Sequence, residues 1–289
     1  LNRHPGRRVD VAVAPGGQPG TVALDMLVTE SKPWSIYAQI SNTGTESTDD
    51  WRERFGFVHN QLTGNDDILS IDYITAGFDE SHLLIASYEA PVGDMDRLRW
   101  RAFGSWNEYT ASDVGSAGEP FEGDGWHVGG ELIWNFYQDG PLFVDAVGGA
   151  RFQNLSVDNN FTQESADENF VFFYGGLQME RVTRTETTFA SVTVEAMPGT
   201  ITSADSDEMD TFGSLQPDEN FVTLKWDLSH SLFLEPLFNR DAWSDISTPE
   251  SSTLAHELYM SLRGQYAFDH RLIPQIGRAS CRERVCHRV

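Results

Sequence analysis

Cysteine is missing from the first 275 residues of this chain, and its two cysteines, Cys281 and Cys286, fall in the last nine. A disulfide framework is thereby excluded for the body of the protein. Basic residues are also scarce, with 20 Lys and Arg against 44 Asp and Glu, a formal net charge of −24. Such a charge repels phosphates, which excludes nucleic acid as a partner, and it suits loops that face water. No run approaches the ~18 consecutive apolar residues of a transmembrane helix, and the opening LNRHPGRRVD lacks the apolar core of a signal peptide. Neither absence argues against a membrane crossed by strands, since ~10-residue barrel strands give a weak hydropathy signal.

Signatures of catalysis and of cofactor binding are missing too. There is no G-x-x-x-x-G-K-[ST], no G-x-G-x-x-G after a strand and no G-x-S-x-G. His82, His127, His230, His256 and His270 show no H-x-x-x-H pairing. The stretch SADSDEMD carries Asp205, Asp207, Glu208 and Asp210, but it lacks the Gly and closing Glu of a calcium loop and reads as a solvated acidic loop. No cofactor, no metal and no enzymatic activity are expected.

Helical periodicity is almost absent after Trp34, and long period-2 alternation stands in its place. In FVTLKWDLSH, Val222, Leu224, Trp226 and Leu228 fall on one face and Thr223, Lys225, Asp227 and Ser229 on the other. In GWHVGGELIWNF, Trp126, Val128, Leu132, Trp134 and Phe136 oppose His127, Glu131 and Asn135. LRWRAFGSW and ELYMSLRGQYAFD repeat the pattern. One apolar and one charged face fits either a soluble sandwich, with its apolar face as core, or a membrane barrel, with its apolar face on lipid.

Three features favour the barrel. Aromatics stand near strand ends, where interfacial girdles belong: Trp34, Trp51, Trp106, Trp126, Tyr137, Phe170 and Phe233. Small residues (Ala146, Gly148, Ala150) recur on an apolar face, where a packed soluble core would want bulk. Joints alternate between short (LTGND, APVGDMD, YQDGP, TRTET) and long and acidic, as in barrels. AGFDES, short on the long side, and FNRDAWSDISTPESSTL, long on the short side, break the rule. Eleven strands are predicted, beginning near Trp34, Trp51, Asp67, His82, Leu98, Trp126, Leu142, Phe170, Thr187, Phe221 and His256. An odd number points to a piece of a larger barrel, since bacterial single-chain barrels are even-numbered.

The first thirty residues read as two strands, Val9–Ala14 and Thr21–Thr29, around a Pro/Gly turn, followed by a hinge at Pro33. This stretch resembles the end of the second POTRA domain of two-partner-secretion translocators, the haemolysin activators of the ShlB/FhaC/HecB type. Asn2, Pro5 and Arg8, then Pro15, Gly16, Pro19, Gly20, Thr21 and Val22, carry the resemblance. FGFVHNQLTGNDDILSIDY, IASYEAPVGDMDRLRWRA and LYMSLRGQYAFDHRLIPQ extend it along the chain.

The resemblance implies an all-β protein: the C-terminal β-hairpin of a POTRA domain (residues 1–32), then about 11 of the 16 strands of an incomplete antiparallel outer-membrane β-barrel (residues 33–275). It implies periplasmic POTRA modules and a monomeric pore in outer-membrane lipid and lipopolysaccharide, exporting a large haemolysin- or haemagglutinin-type exoprotein. Thr21, Val22, Leu24, Met26 and Val28 are candidates for partner binding by strand addition, against the favoured alternative that they form a plain core strand of the module. By alternation Arg99, Arg101, Glu131, Asp145, Arg151, Glu180, Lys225, Asp227, Arg263 and Asp269 line the lumen. The alternatives are a barrel-assembly protein of the same superfamily and a secreted soluble all-β binding protein.

The tail, residues 276–289, holds both cysteines and four arginines. Residues 276–285, IGRASCRERV, read as the translation of a common sequencing adapter. The tail is expected to be foreign to the domain rather than a metal or redox site.

Overall fold

The computed structural model describes residues 4–18, 20–43, 49–79, 81–111, 121–159, 164–199, 220–238 and 256–268. The tail, the acidic stretch around Asp205 and the site candidates Asn2, Pro19 and Asp269 lie outside these residues. The chain divides into two compact units, 1–126 and 127–289.

The first unit opens with a hairpin of β1 (Arg7–Pro15) and β2 (Val22–Glu30). Its register sets Val9 opposite Val28, Val11 opposite Met26 and Val13 opposite Leu24, so one face is a ladder of apolar pairs. Thr21 is not part of the ladder. It lies in the turn, where its hydroxyl donates to the Gln18 carbonyl at 2.7 Å. An antiparallel meander follows: β3 (Trp34–Ser41), β4 (Arg52–Asn60), β5 (Ile68–Ala76), β6 (Ser81–Val92) and β7 (Met95–Ala111). Each strand pairs with the next in sequence. The two-residue turn between β6 and β7 needs a positive φ, which Gly93 supplies at 55°.

β8 (Phe121–Asp139) leads into the second unit, where β9 (Leu142–Asn159), β10 (Glu164–Val182), β11 (Glu186–Met197), β12 (Phe221–Phe233) and β13 (Glu257–Ala267) again follow sequence order. A single helical turn, α1 (Glu235–Phe238), opens the joint after β12. All eleven predicted strands are present after the hairpin, and most begin within three residues of the predicted start. β8 and β10 begin earlier than predicted. The added segments FEGDG and ESADEN hold one apolar residue each, so they show no alternation that would mark them.

The exposed and shielded faces are the reverse of a soluble protein's. Along β8, Val128, Leu132, Trp134 and Phe136 are exposed by 40–54%, while Glu131 between them is 8% exposed. On β9, Asp145 is 1% exposed. Among the described residues only seven apolar side chains are buried. A water-soluble domain must bury such side chains at ~1.5–3 kcal/mol each. From Val128 to Phe136, eight steps at ~3.4 Å make roughly 27 Å of strand. At barrel tilt that covers most of a ~25 Å apolar band. Phe170 departs from its predicted place in a girdle. It is 1% exposed and lies beside Phe172 on the shielded face.

Candidate functional site

The shielded face of the second unit is a network of paired polar groups. Glu195 on β11 is central. It meets Lys225 Nζ at 2.7 Å from β12 and Arg151 Nη2 at 3.3 Å from β9. Arg151 reaches it by lying over the Phe172 ring, 4.6 Å from the centroid, so the aromatic side chain carries the guanidinium across one strand. Asp227 pairs with Arg263 in the directly opposed register position. Asp145 accepts from Asn135 Nδ2 at 2.7 Å.

Two tyrosines span strands in the same way. Tyr174 donates to Glu131 Oε2 at 2.7 Å, and it passes over Gly149, its register partner. A Cβ on Gly149 would stand 2.7 Å from the tyrosine oxygen and 2.5 Å from the Gly130 carbonyl, so only glycine leaves the path open. In the first unit Tyr37 lies over Gly56 and donates to Asp72, which also accepts from Arg54 Nε at 2.8 Å.

Most of the predicted lining residues fall on the shielded face. Arg99, Glu131, Asp145, Arg151, Lys225, Asp227 and Arg263 join these pairs, and Arg99 pairs with Glu89. Arg101, opposite Glu89, shares that face by register, as does Glu180 on β10. Asp72, Glu89, Tyr174 and Glu195 were not predicted. Asp72 and Glu89 had a visible signal, since each sits at a polar place in an alternating run. Glu195 and Tyr174 are recognised only by their partners on other strands.

A second cluster joins the hairpin to the meander. Arg7 forms a fork on Asp66, with Nη2–Oδ1 at 2.6 Å and Nη1–Oδ2 at 3.1 Å, and Glu30 lies 3.7 Å from Arg7 Nε. Arg99 Nη2 donates to the Asp66 carbonyl at 2.7 Å. Arg7 therefore makes this junction, and the side chain of Arg8, one of the residues that carry the resemblance, lies outside the described set. The turn after β4 is held in an unusual shape, with positive φ at Gln61, Gly64 and Asp66. Asp67 fixes that shape, accepting from Thr63 N at 3.0 Å, Thr63 Oγ1 at 2.9 Å and Asn65 N at 3.4 Å. The hinge is tied on both sides: Ser31 N donates to Gly6 O at 3.0 Å, and Asn60 N to Pro33 O at 2.6 Å.

Electrostatics at the junction follow from this geometry. The Arg7 fork holds the Asp66 carboxyl below the usual carboxylate range. Burial pushes Asp67 up, but the donors of Thr63 and Asn65 outweigh it, and the net direction is down. His4, 9% exposed, is pushed below the usual histidine value by burial. Arg7 and Arg99 act in the same direction, while Asp66 and the Asp67 backbone oppose them.

His4 thus favours its neutral form when the hairpin is docked. Freed from the junction it would take up a proton as pH falls through about 6.5. Docking is therefore fully supported above that pH and weakens on acidification towards the lowered docked value. Spin labels at Ala14 and Asp94, with Cys281 and Cys286 replaced by serine, should give a broader distance distribution at pH 5.5 than at pH 8. His4→Gln should remove the difference.

A chain of antiparallel strands in sequence order, apolar where exposed and charged where shielded, defines an outer-membrane β-barrel protein. Residues 20–137 match the model of the haemolysin secretion/activation protein family ShlB/FhaC/HecB. No curated protein matches the sequence. Among solved structures, CdiB from Escherichia coli is similar with a TM-score of 0.67 and 14% identity, over 94% of this chain and 47% of that one. CdiB from Acinetobacter baumannii is similar with a TM-score of 0.59 and 15% identity, over 91% of this chain and 45% of that one. At such identities the likeness is one of fold. The chain spans about half the length of these two structures.

Proposed function

We propose that this chain is part of an outer-membrane pore that exports a large partner exoprotein of the haemolysin or haemagglutinin type. The observation that carries the reading is the reversed sheet. Its apolar face meets lipid and lipopolysaccharide, and its charged face lines the path of a monomeric pore. Arg99, Arg101, Glu131, Asp145, Arg151, Glu180, Lys225, Asp227 and Arg263 belong to that lining, with each carboxylate or cation held by a neighbour so that the wall stays polar without presenting a lone charge. The match of residues 20–137 to the model of a secretion/activation family supports the same reading.

The hairpin offers the partner a place to dock. Val22, Leu24, Met26 and Val28 are exposed by 53–65%, and an extended chain can add to a strand edge through main-chain hydrogen bonds. No nucleotide chemistry is involved, and folding of the partner outside the cell supplies direction.

The test uses the full gene together with its candidate exoprotein in a Gram-negative host. The expected result is exoprotein in the medium only when the pore gene is present, and a pore that shifts in gel mobility on heating. A pore that folds in the membrane while the exoprotein stays in the periplasm would sink the reading.

A further inference from the structure

We propose that Asp66 is a positioning residue for export, the catch of a latch that fixes the β1–β2 hairpin at one angle to the short-turn rim of the meander. This goes beyond the translocator reading and rests on it for its functional consequence, but the latch is argued from geometry alone.

Arg7 stands at the first residue of β1, and its side chain is 14% exposed. Its only route to the rim is the carboxylate of Asp66, which it grips with two donors. Such a fork fixes direction as well as distance, because both oxygens must stay in the guanidinium plane. Asp66 in turn is fixed from behind. Its carbonyl accepts from Arg99 on β7, and Gln61 Nε2 donates to its Oδ1 at 3.1 Å. Arg99 is itself held by Glu89 on β6. The grip on the hairpin therefore passes through one turn into three strands of the sheet.

The rest of the turn is built to present Asp66. The residue has φ 55°, in the left-handed region, which aspartate and asparagine tolerate better than most side chains. The buried Asp67 carboxylate ties the loop back on itself through Thr63 and Asn65. A turn that merely reversed the chain would need neither the strain nor the buried carboxylate. Besides Arg7, hairpin and rim meet at the hinge backbone, where Asn60 N donates to the Pro33 carbonyl, and at His4, which lies within reach of Asp66 and the Asp67 backbone. Backbone tethers at a hinge restrain position but leave rotation open, and the Arg7 fork closes that freedom.

The experiment uses the full-length protein with Cys281 and Cys286 replaced by serine. Asp66→Asn keeps a residue suited to the backbone and removes the charge. Arg7→Gln leaves the turn untouched, and it carries the test if the first variant fails to fold. Arg7→Lys keeps the charge but not the fork. Labels at Ala14 and Asp94 report hairpin orientation, secretion reports export, and heat-shifted mobility reports the folded barrel.

The expected result is a broadened distance distribution in Asp66→Asn and Arg7→Gln with a folded barrel. Secretion should fall roughly tenfold, the factor set by losing one charge-assisted hydrogen bond worth ~1.5 kcal/mol, and Arg7→Lys should fall in between. An unchanged distribution in Arg7→Gln overturns the latch. A broadened distribution with unchanged secretion overturns the positioning role. If the unaltered protein secretes nothing, the translocator reading falls and the positioning role with it, while the label distances still decide the latch.

Discussion

Replacing Glu195 by alanine is expected to destabilise the protein by about 3 kcal/mol, the low end of what is lost when one partner of a buried ion pair is removed. The carboxylate is 5% exposed at its side chain and neutralises two cations, Arg151 and Lys225, brought to it from β9 and β12. Without it those cations face each other across a sheet with one counter-charge fewer. Lys225, at 35% exposure, can turn to water, whereas Arg151 is pinned over Phe172 and cannot turn freely. That difference is why the low end of the range applies. Equilibrium unfolding in urea, with the full-length protein in lipid vesicles, measures the change.

The control is Glu186→Ala. Its partner Arg181 is 48% exposed, and the 2.9 Å pair lies at the β10–β11 turn. An exposed pair is worth under ~1 kcal/mol. If both substitutions cost the same, burial does not set the strength of these pairs, and the charged face is as wet as a turn. A second comparison isolates the coupling. Adding Lys225→Met to Glu195→Ala should recover part of the loss, because it removes a cation that has lost its partner.

Much of the fold was legible because a strand's period is local. Leu132 and Glu131 take opposite faces whatever lies far away in sequence, so eleven strands and their apolar faces follow from alternation. The failures share a cause. FEGDG and ESADEN extend β8 and β10 but hold one apolar residue each, so no alternation marks them. Phe170 was expected among the exposed aromatics because aromatic residues are common there, yet its parity on β10 puts it on the shielded face beside Phe172.

Pairing is the other limit. Parity tells which face a charge takes and not which charge it meets. Glu195 joins residues 44 positions before it and 30 after it, and Tyr174 reaches back 43 positions to Glu131. The junction is less legible still. Arg7 and Asp66 are 59 residues apart, and nothing near either one announces the other. The adjacent Asp67 was read as the start of a strand, whereas it is the carboxylate that closes the turn.

The exposed apolar face gives the strongest test of the membrane itself. Leu132 is 53% exposed near the middle of the apolar stretch of β8, flanked on the same face by Val128 and Phe136. Leu132→Arg is expected to cost about 2–4 kcal/mol in a bilayer, the range for a cation at the midplane of a barrel. A soluble sheet makes the opposite prediction: an arginine at a half-exposed position on a water-facing surface costs within ~0.5 kcal/mol. Position along the strand separates the membrane from simple loss of packing. Phe136, 40% exposed on the same face and near the β8–β9 turn, lies at the edge of the band, and Phe136→Arg should cost only ~0–1 kcal/mol beyond the loss of the ring. Leu132→Ala removes the same contacts as Leu132→Arg without adding charge, and should cost less than the arginine. Urea unfolding in vesicles reads all three. Equal losses at residues 132 and 136 would mean that no depth-dependent apolar medium covers this face, and the barrel reading would fall with it.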